Sequence, residues 1–180
     1  MLDPGIGFVL TVGFVLLFAH AAAGKWRSVS EFSAVLANYR LLPARLVGAC
    51  ALLVPALESV VALLLLAPAT RPAAATLGVA LLLAYATAIA VNLRRGRFDL
   101  DCGCAGPADR RPIAGWMVWR NLLLVAALAS VAAQWSPREL GWTDLLTVAG
   151  GVAVLALLYV AVDRLLGQVL PRAAVLRGAR

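Results

Sequence analysis

Charge is what this chain has least of. Only 14% of its 180 residues are Asp, Glu, Lys or Arg, and 63% are apolar, against about 25% and roughly 45–50% in soluble domains. An ordinary water-soluble globule is excluded. Cysteine numbers three and histidine one, too few for a disulfide-stapled scaffold and short of an evident four-ligand metal set of thiolates and imidazoles. Lysine is almost missing, since fifteen of the sixteen basic residues are Arg and only Lys25 differs. Internal repeats and low-complexity linkers are also missing, and no two interrupted apolar segments match as the halves of a transporter would.

What is present is apolar length. Five stretches, at about 5–23, 46–67, 73–93, 113–135 and 142–166, come near the ~20 residues that cross ~30 Å of hydrocarbon. The sequence predicts an all-α, multi-pass transmembrane helical bundle, a four-helix core plus a fifth C-terminal span. It forms one domain over residues 1–170, followed by a basic tail at 171–180. No basic residue precedes the first stretch, so it reads as a spanning helix retained in the mature chain. The rival is a cleavable signal, suggested by Ala19-His20-Ala21. Trp116 and Trp119 at one end and Trp135 at the other bracket the fourth span at the headgroup levels. The net charge of +7 suits anionic membrane lipid and not nucleic acid.

Between spans one and two, Phe32, Val35, Leu36 and Tyr39 recur at helical spacing, which predicts an amphipathic interfacial helix at about 29–42. Ser28 and Glu31 suit a capping box at its start, and Pro43 is expected to stop it. Basic residues alternate between connections: four, one, five and one, then four in the tail region, with Arg120 inside span four. The positive-inside rule then puts the first connection, the third connection and the C-terminus in the cytoplasm.

The third connection holds Cys102-Gly103-Cys104, the most specific chemical signal in the chain. A disulfide across one residue closes a small ring, and so tight a closure favours a labile, exchange-competent pair over a structural staple. Asp99 and Asp101 would raise the thiol pKa values, while Arg94, Arg95, Arg97 and Arg110 would lower them. The bland alternative is two incidental loop cysteines.

Glu58 lies well inside span two, three residues after Pro55, where a carboxylate must be paired or protonated and must face the bundle interior. Arg120 is its expected partner, with Asn121, Asn92 and His20 completing a buried polar cluster. Interhelical hydrogen bonding without chemistry is the simpler role for each. Cys50, two turns before Glu58, is a possible auxiliary thiol or a small packing residue.

These residues resemble the methylamine utilisation protein MauE family, itself grouped with DoxX-like membrane proteins. The resemblance spans most of the first 125 residues. It is carried by Phe18 through Lys25, Tyr39-Arg40-Leu41-Leu42-Pro43, Pro55-Ala56-Leu57-Glu58, Asn92-Leu93-Arg94-Arg95-Gly96-Arg97, Asp101-Cys102-Gly103-Cys104-Ala105-Gly106 and Trp119-Arg120-Asn121. Ala105 departs from the aromatic residue usual there. The resemblance implies an accessory protein of the cell membrane for maturation of the disulfide-rich small subunit of methylamine dehydrogenase. It implies Cys102 and Cys104 as the redox pair, with a thioredoxin-like protein and a disulfide-containing client as partners. No cofactor is expected, a quinone being the one minor alternative. Such chemistry expects the cysteine loop on the oxidising side, against the positive-inside count. The competing expectation is a non-enzymatic scaffold or assembly partner in which the cysteines are incidental.

Overall fold

The computed structural model describes residues 4–103, 112–132 and 141–178. Among the described residues there are six helices: α1 (Pro4–Arg27), α2 (Val29–Tyr39), α3 (Ala44–Leu66), α4 (Arg71–Arg94), α5 (Gly115–Val131) and α6 (Trp142–Gly178). Helices α1, α3, α4 and α6 are each long and apolar enough to cross a membrane. At 17 residues α5 is shorter, about 26 Å of helix. The chain is therefore a multi-pass helical membrane protein, as its apolar stretches predict.

Packing fixes the directions. Gly78 on α4 lies against Phe18 of α1 and Leu128 of α5, and Tyr85 lies beneath the ammonium of Lys25. Seven residues separate the two contacts on both α1 and α4, so these helices run the same way. A single buried core joins Phe14 and Phe18 to Val61 and Leu65 of α3, Leu81 and Leu82 of α4, and Leu128 and Val131 of α5. Outward positions such as Leu63, Leu123 and Leu157 are exposed, as lipid-facing side chains of a bundle should be. Helix α6 follows α1, with Gly151 against Val9, and Arg120 ties it to α5 through Asp163 at 2.6 Å. Consequently α2, the α4–α5 connection and the C-terminal part of α6 share one end of the bundle.

Boundaries differ from the sequence expectation in several places. Ser28 makes no side-chain capping bond, because α2 follows α1 after a single turn residue and Ser28 engages through its backbone, donating to Lys25 and accepting from Phe32. Helix α2 ends not at Pro43 but at Arg40, whose left-handed backbone (φ 50°) lets its N–H donate to the Ala37 carbonyl. Pro43 instead starts α3, accepting from Leu46 N–H. Lastly, α6 runs to Gly178, through most of the expected tail, since Ala, Leu and Arg on either side of Pro171 are good helix formers. The fourth span begins at Gly115, because Ala114 is extended. Trp135, expected at its far end, lies outside the described residues.

Candidate functional site

Asn92 ends α4 by taking the chain out of the helix on several hydrogen bonds. Its carbonyl accepts from Arg95 and Arg97 N–H, its Oδ1 accepts from Arg97 Nη1 at 3.2 Å, and its Nδ2 donates to the Ala88 carbonyl. It is fully buried. Gly96, at φ 72°, then makes a turn that favours glycine. Arg97 and Arg95 reach the Tyr39 and Arg40 carbonyls at 3.4 Å each, placing cations at the negative end of α2. Two of the loop's arginines therefore have structural work at a helix end.

The cysteine loop is closed at its base. Asp101 and Pro112 form an antiparallel bridge, and Ile113 N–H donates to the Leu100 carbonyl at 2.8 Å. Leu100, Ile113, Met117, Ile89 and Tyr39 form a second apolar cluster, against which Cys102 packs. Cys102 is disulfide-bonded and half-buried. Its carbonyl accepts from the Tyr39 hydroxyl at 3.5 Å. Burial and the nearby Asp101 carboxylate push the Tyr39 phenol up to about 12, so it stays a neutral donor at any physiological pH. Gly103 adopts φ 68°, and a Cβ there would sit 2.9 Å from Val35 of α2. The apolar stripe of α2 is thus turned onto the protein, over α3 and this loop. Cys104 lies outside the described residues.

Deeper in the bundle a second polar group is sealed. Glu58 of α3 receives Lys25 Nζ on both carboxylate oxygens, at 2.8 and 2.9 Å, and the Tyr85 hydroxyl on Oε1 at 2.6 Å. The Lys25 ammonium also stands 5.4 Å from the ring centres of both Phe32 and Tyr85. Trp26 donates to Ser59 one residue along each helix, at 3.3 Å. Helices α1, α3 and α4 are thereby pinned together about 13 Å below the end of α4, given the nine residues from Tyr85 to Arg94. A buried ion pair holds only if hydrogen bonds meet its remaining lone pairs, and here Tyr85 supplies one.

The expected pairing of Glu58 with Arg120 is not formed. Arg120 instead bonds the acidic side chain of Asp163 on α6 and lies 5.3 Å from the Trp116 ring, while Glu58 is taken by Lys25. Asn121 is buried but donates to its own helix at the Met117 carbonyl. His20 is exposed on α1, so it joins no buried cluster. Cys50 is a free, half-buried thiol on α3. Among the described residues, no group of three or more His, Cys, Asp or Glu side chains is placed to hold a metal ion. The residue missed in the sequence is Lys25, whose signal was its being the sole lysine among arginines. Its compact ammonium, on a flexible four-carbon stem, reaches both Glu58 oxygens from the end of α1.

The sequence profile described as Methylamine utilisation protein MauE matches residues 4–135. The chain is 38% identical over 169 residues to a protein named methylamine utilization protein MauE from Methylophilus methylotrophus, covering 92% of this chain and 88% of that one. Proteins of the same name from Paracoccus versutus (39% over 166 residues, 92% and 89% covered) and Paracoccus denitrificans (38% over 133 residues, 73% and 71% covered) are similar to it as well. No solved structure matches.

Proposed function

The chain belongs to the methylamine utilisation protein MauE family, and from that premise we propose that it is a membrane accessory protein of methylamine utilisation whose Cys102–Cys104 pair exchanges disulfides with a partner. The carrying observation is the disulfide-bonded Cys102, displayed at the end of the bundle on a loop held by the Asp101–Pro112 bridge and the Tyr39 hydroxyl. The partners in this reading are a thioredoxin-like protein and a client with several disulfides, the small subunit of methylamine dehydrogenase by family resemblance. The chain itself supplies positioning: α2 fixes the loop, and the Lys25–Glu58–Tyr85 lock fixes α2's neighbours.

This function needs the loop end on the oxidising side of the cell membrane. Three of the thirteen basic residues that place it inside have structural roles, Lys25 in a buried ion pair and Arg95 and Arg97 at the end of α2. The positive-inside count is correspondingly weaker for this end. A scaffold role is favoured by one observation, the sealed ion pair joining three helices without any cysteine. Substituting Cys102→Ser with Cys104→Ser separates the two readings. Redox maturation predicts loss of client disulfides in cells with the membrane protein still present at normal level. Unchanged client disulfides would leave the scaffold alone.

A further inference from the structure

A polar cleft of about 260 Å³ reaches Asp101, the residue before Cys102, and is lined by Val35, Asn38 and Tyr39 of α2 and by Arg97, Asp99, Leu100 and Asp101 of the loop. We propose that this cleft is the docking slot for an extended, cysteine-bearing polypeptide segment of neutral or basic character, whose thiol it delivers to Cys102. The inference rests on the redox reading above.

Position is the first argument. Tyr39 and Asp101 belong to the cleft and also to Cys102, one by its hydrogen bond to the Cys102 carbonyl and the other as the preceding residue. The cleft wall and Cys102 are therefore joined by one hydrogen bond and one peptide link.

Chemistry is the second. An extended backbone offers alternating N–H donors and carbonyl acceptors, and the cleft offers both complements. Asp99 and Asp101 accept, while the Asn38 amide and Arg97 guanidinium donate. Arg97 is pinned through Nη1 to the Tyr39 carbonyl and Asn92 Oδ1, which orders the guanidinium before any segment arrives. The volume is below the roughly 300–1,000 Å³ of sites for drug-sized ligands, suited to a short stretch of chain and too small for a bulky cofactor.

Charge is the third. The whole chain carries +7, yet the cleft lining holds two carboxylates against one guanidinium. Overall charge would draw an acidic segment, whereas the cleft would draw a basic one. The two predictions have opposite sign.

The step that follows is a simple exchange. The segment's thiol loses its proton to solvent, and the thiolate attacks Cys102 Sγ. A new S–S bond forms as the existing one breaks, and the displaced sulfur leaves as a thiolate with the electron pair. No external oxidant enters this step.

The test uses the oxidised full-length protein in detergent and three thiols: 2-mercaptoethanol, a short peptide with lysines flanking one cysteine, and the same peptide with glutamates. Adducts at Cys102 are quantified by mass spectrometry after acid quench, and each peptide rate is divided by the 2-mercaptoethanol rate on the same protein. The lysine peptide should exceed the glutamate peptide by about tenfold at low salt, a margin that narrows as salt screens it. Asp99→Asn with Asp101→Asn should bring that ratio down severalfold, and Asn38→Ala should slow both peptides relative to 2-mercaptoethanol. A glutamate preference, equal rates, or a ratio indifferent to the double substitution overturns the docking slot and leaves the redox reading standing. No adduct with any of the three thiols overturns the redox reading and the slot together.

Discussion

At 2% and 1% exposure, Lys25 and Glu58 are so nearly sealed that removing one charge leaves the other uncompensated in hydrocarbon. Lys25→Met should cost about 3–5 kcal/mol, read as a large fall in the thermal midpoint of the detergent-solubilised protein. Adding Glu58→Leu to it should recover much of that loss, because both desolvation penalties then vanish. A double variant as unstable as the sum of the singles would show that the pair is not coupled. Glu58→Gln should be milder than Glu58→Leu, since the amide oxygen still accepts from Lys25 and Tyr85. Tyr39 gives a pH dependence of definite sign. Its phenol is raised to about 12 from 10.0, so the fold favours the protonated form. The stabilisation is full below about pH 10 and is lost as pH rises toward 12. Protease cleavage within residues 97–103 should increase over that window, and Tyr39→Phe should flatten the dependence. Cleavage unchanged between pH 9 and 12 in the unsubstituted protein would contradict the hydrogen bond's role.

At the scale of elements, α2 and the cysteine loop are a matched pair, and Gly103 is one place where they touch. Its positive φ costs a side chain about 1–2 kcal/mol, and an added Cβ would press 2.9 Å from Val35. Gly103→Ala should raise hydrogen exchange in the loop and in the last turns of α2. Combining it with Val35→Ala should relieve the contact but not the backbone cost, so recovery should be partial. Full recovery would locate the whole effect in the contact. The elements themselves were largely legible beforehand. Long apolar runs mark α1, α3, α4 and α6 because a membrane helix is apolar all round, and the stripe from Phe32 to Tyr39 marks α2. Their ends were not so legible: a helix can stop on a left-handed arginine such as Arg40 as readily as on a proline. The partner of Glu58 was hidden for a similar reason, since Lys25 at the end of an apolar run looks like an interfacial anchor. Only the fold shows α2 covering it with Phe32.

At the scale of the molecule, the features that bear on chemistry gather at one end. Cys102, the polar cleft and the apolar stripe of α2 lie there, with the ion pair fixing α1, α3 and α4 beneath them. Most of the large apolar side chains exposed among the described residues are leucine and valine, and α6 is tied on by Arg120 and Asp163. That the cysteine loop would sit at a bundle end was legible from the order of the spans. That α2 would serve as its bed was not, because the packing and hydrogen bonds that join them link residues more than fifty apart in sequence. Exchange at Cys102 is tested most directly by trapping. In cells expressing the Cys104→Ser protein, the Cys102 thiolate attacks a partner's disulfide, displaces one of its sulfurs as thiolate, and has no neighbouring thiol to resolve the mixed disulfide; the cells are quenched in acid, and the membrane chain is isolated and analysed for that adduct. A protein adduct held through Cys102, released by reductant and lost when Cys102→Ser is added, is the predicted result. Recovery of Cys102 only as an unmodified thiol would contradict it.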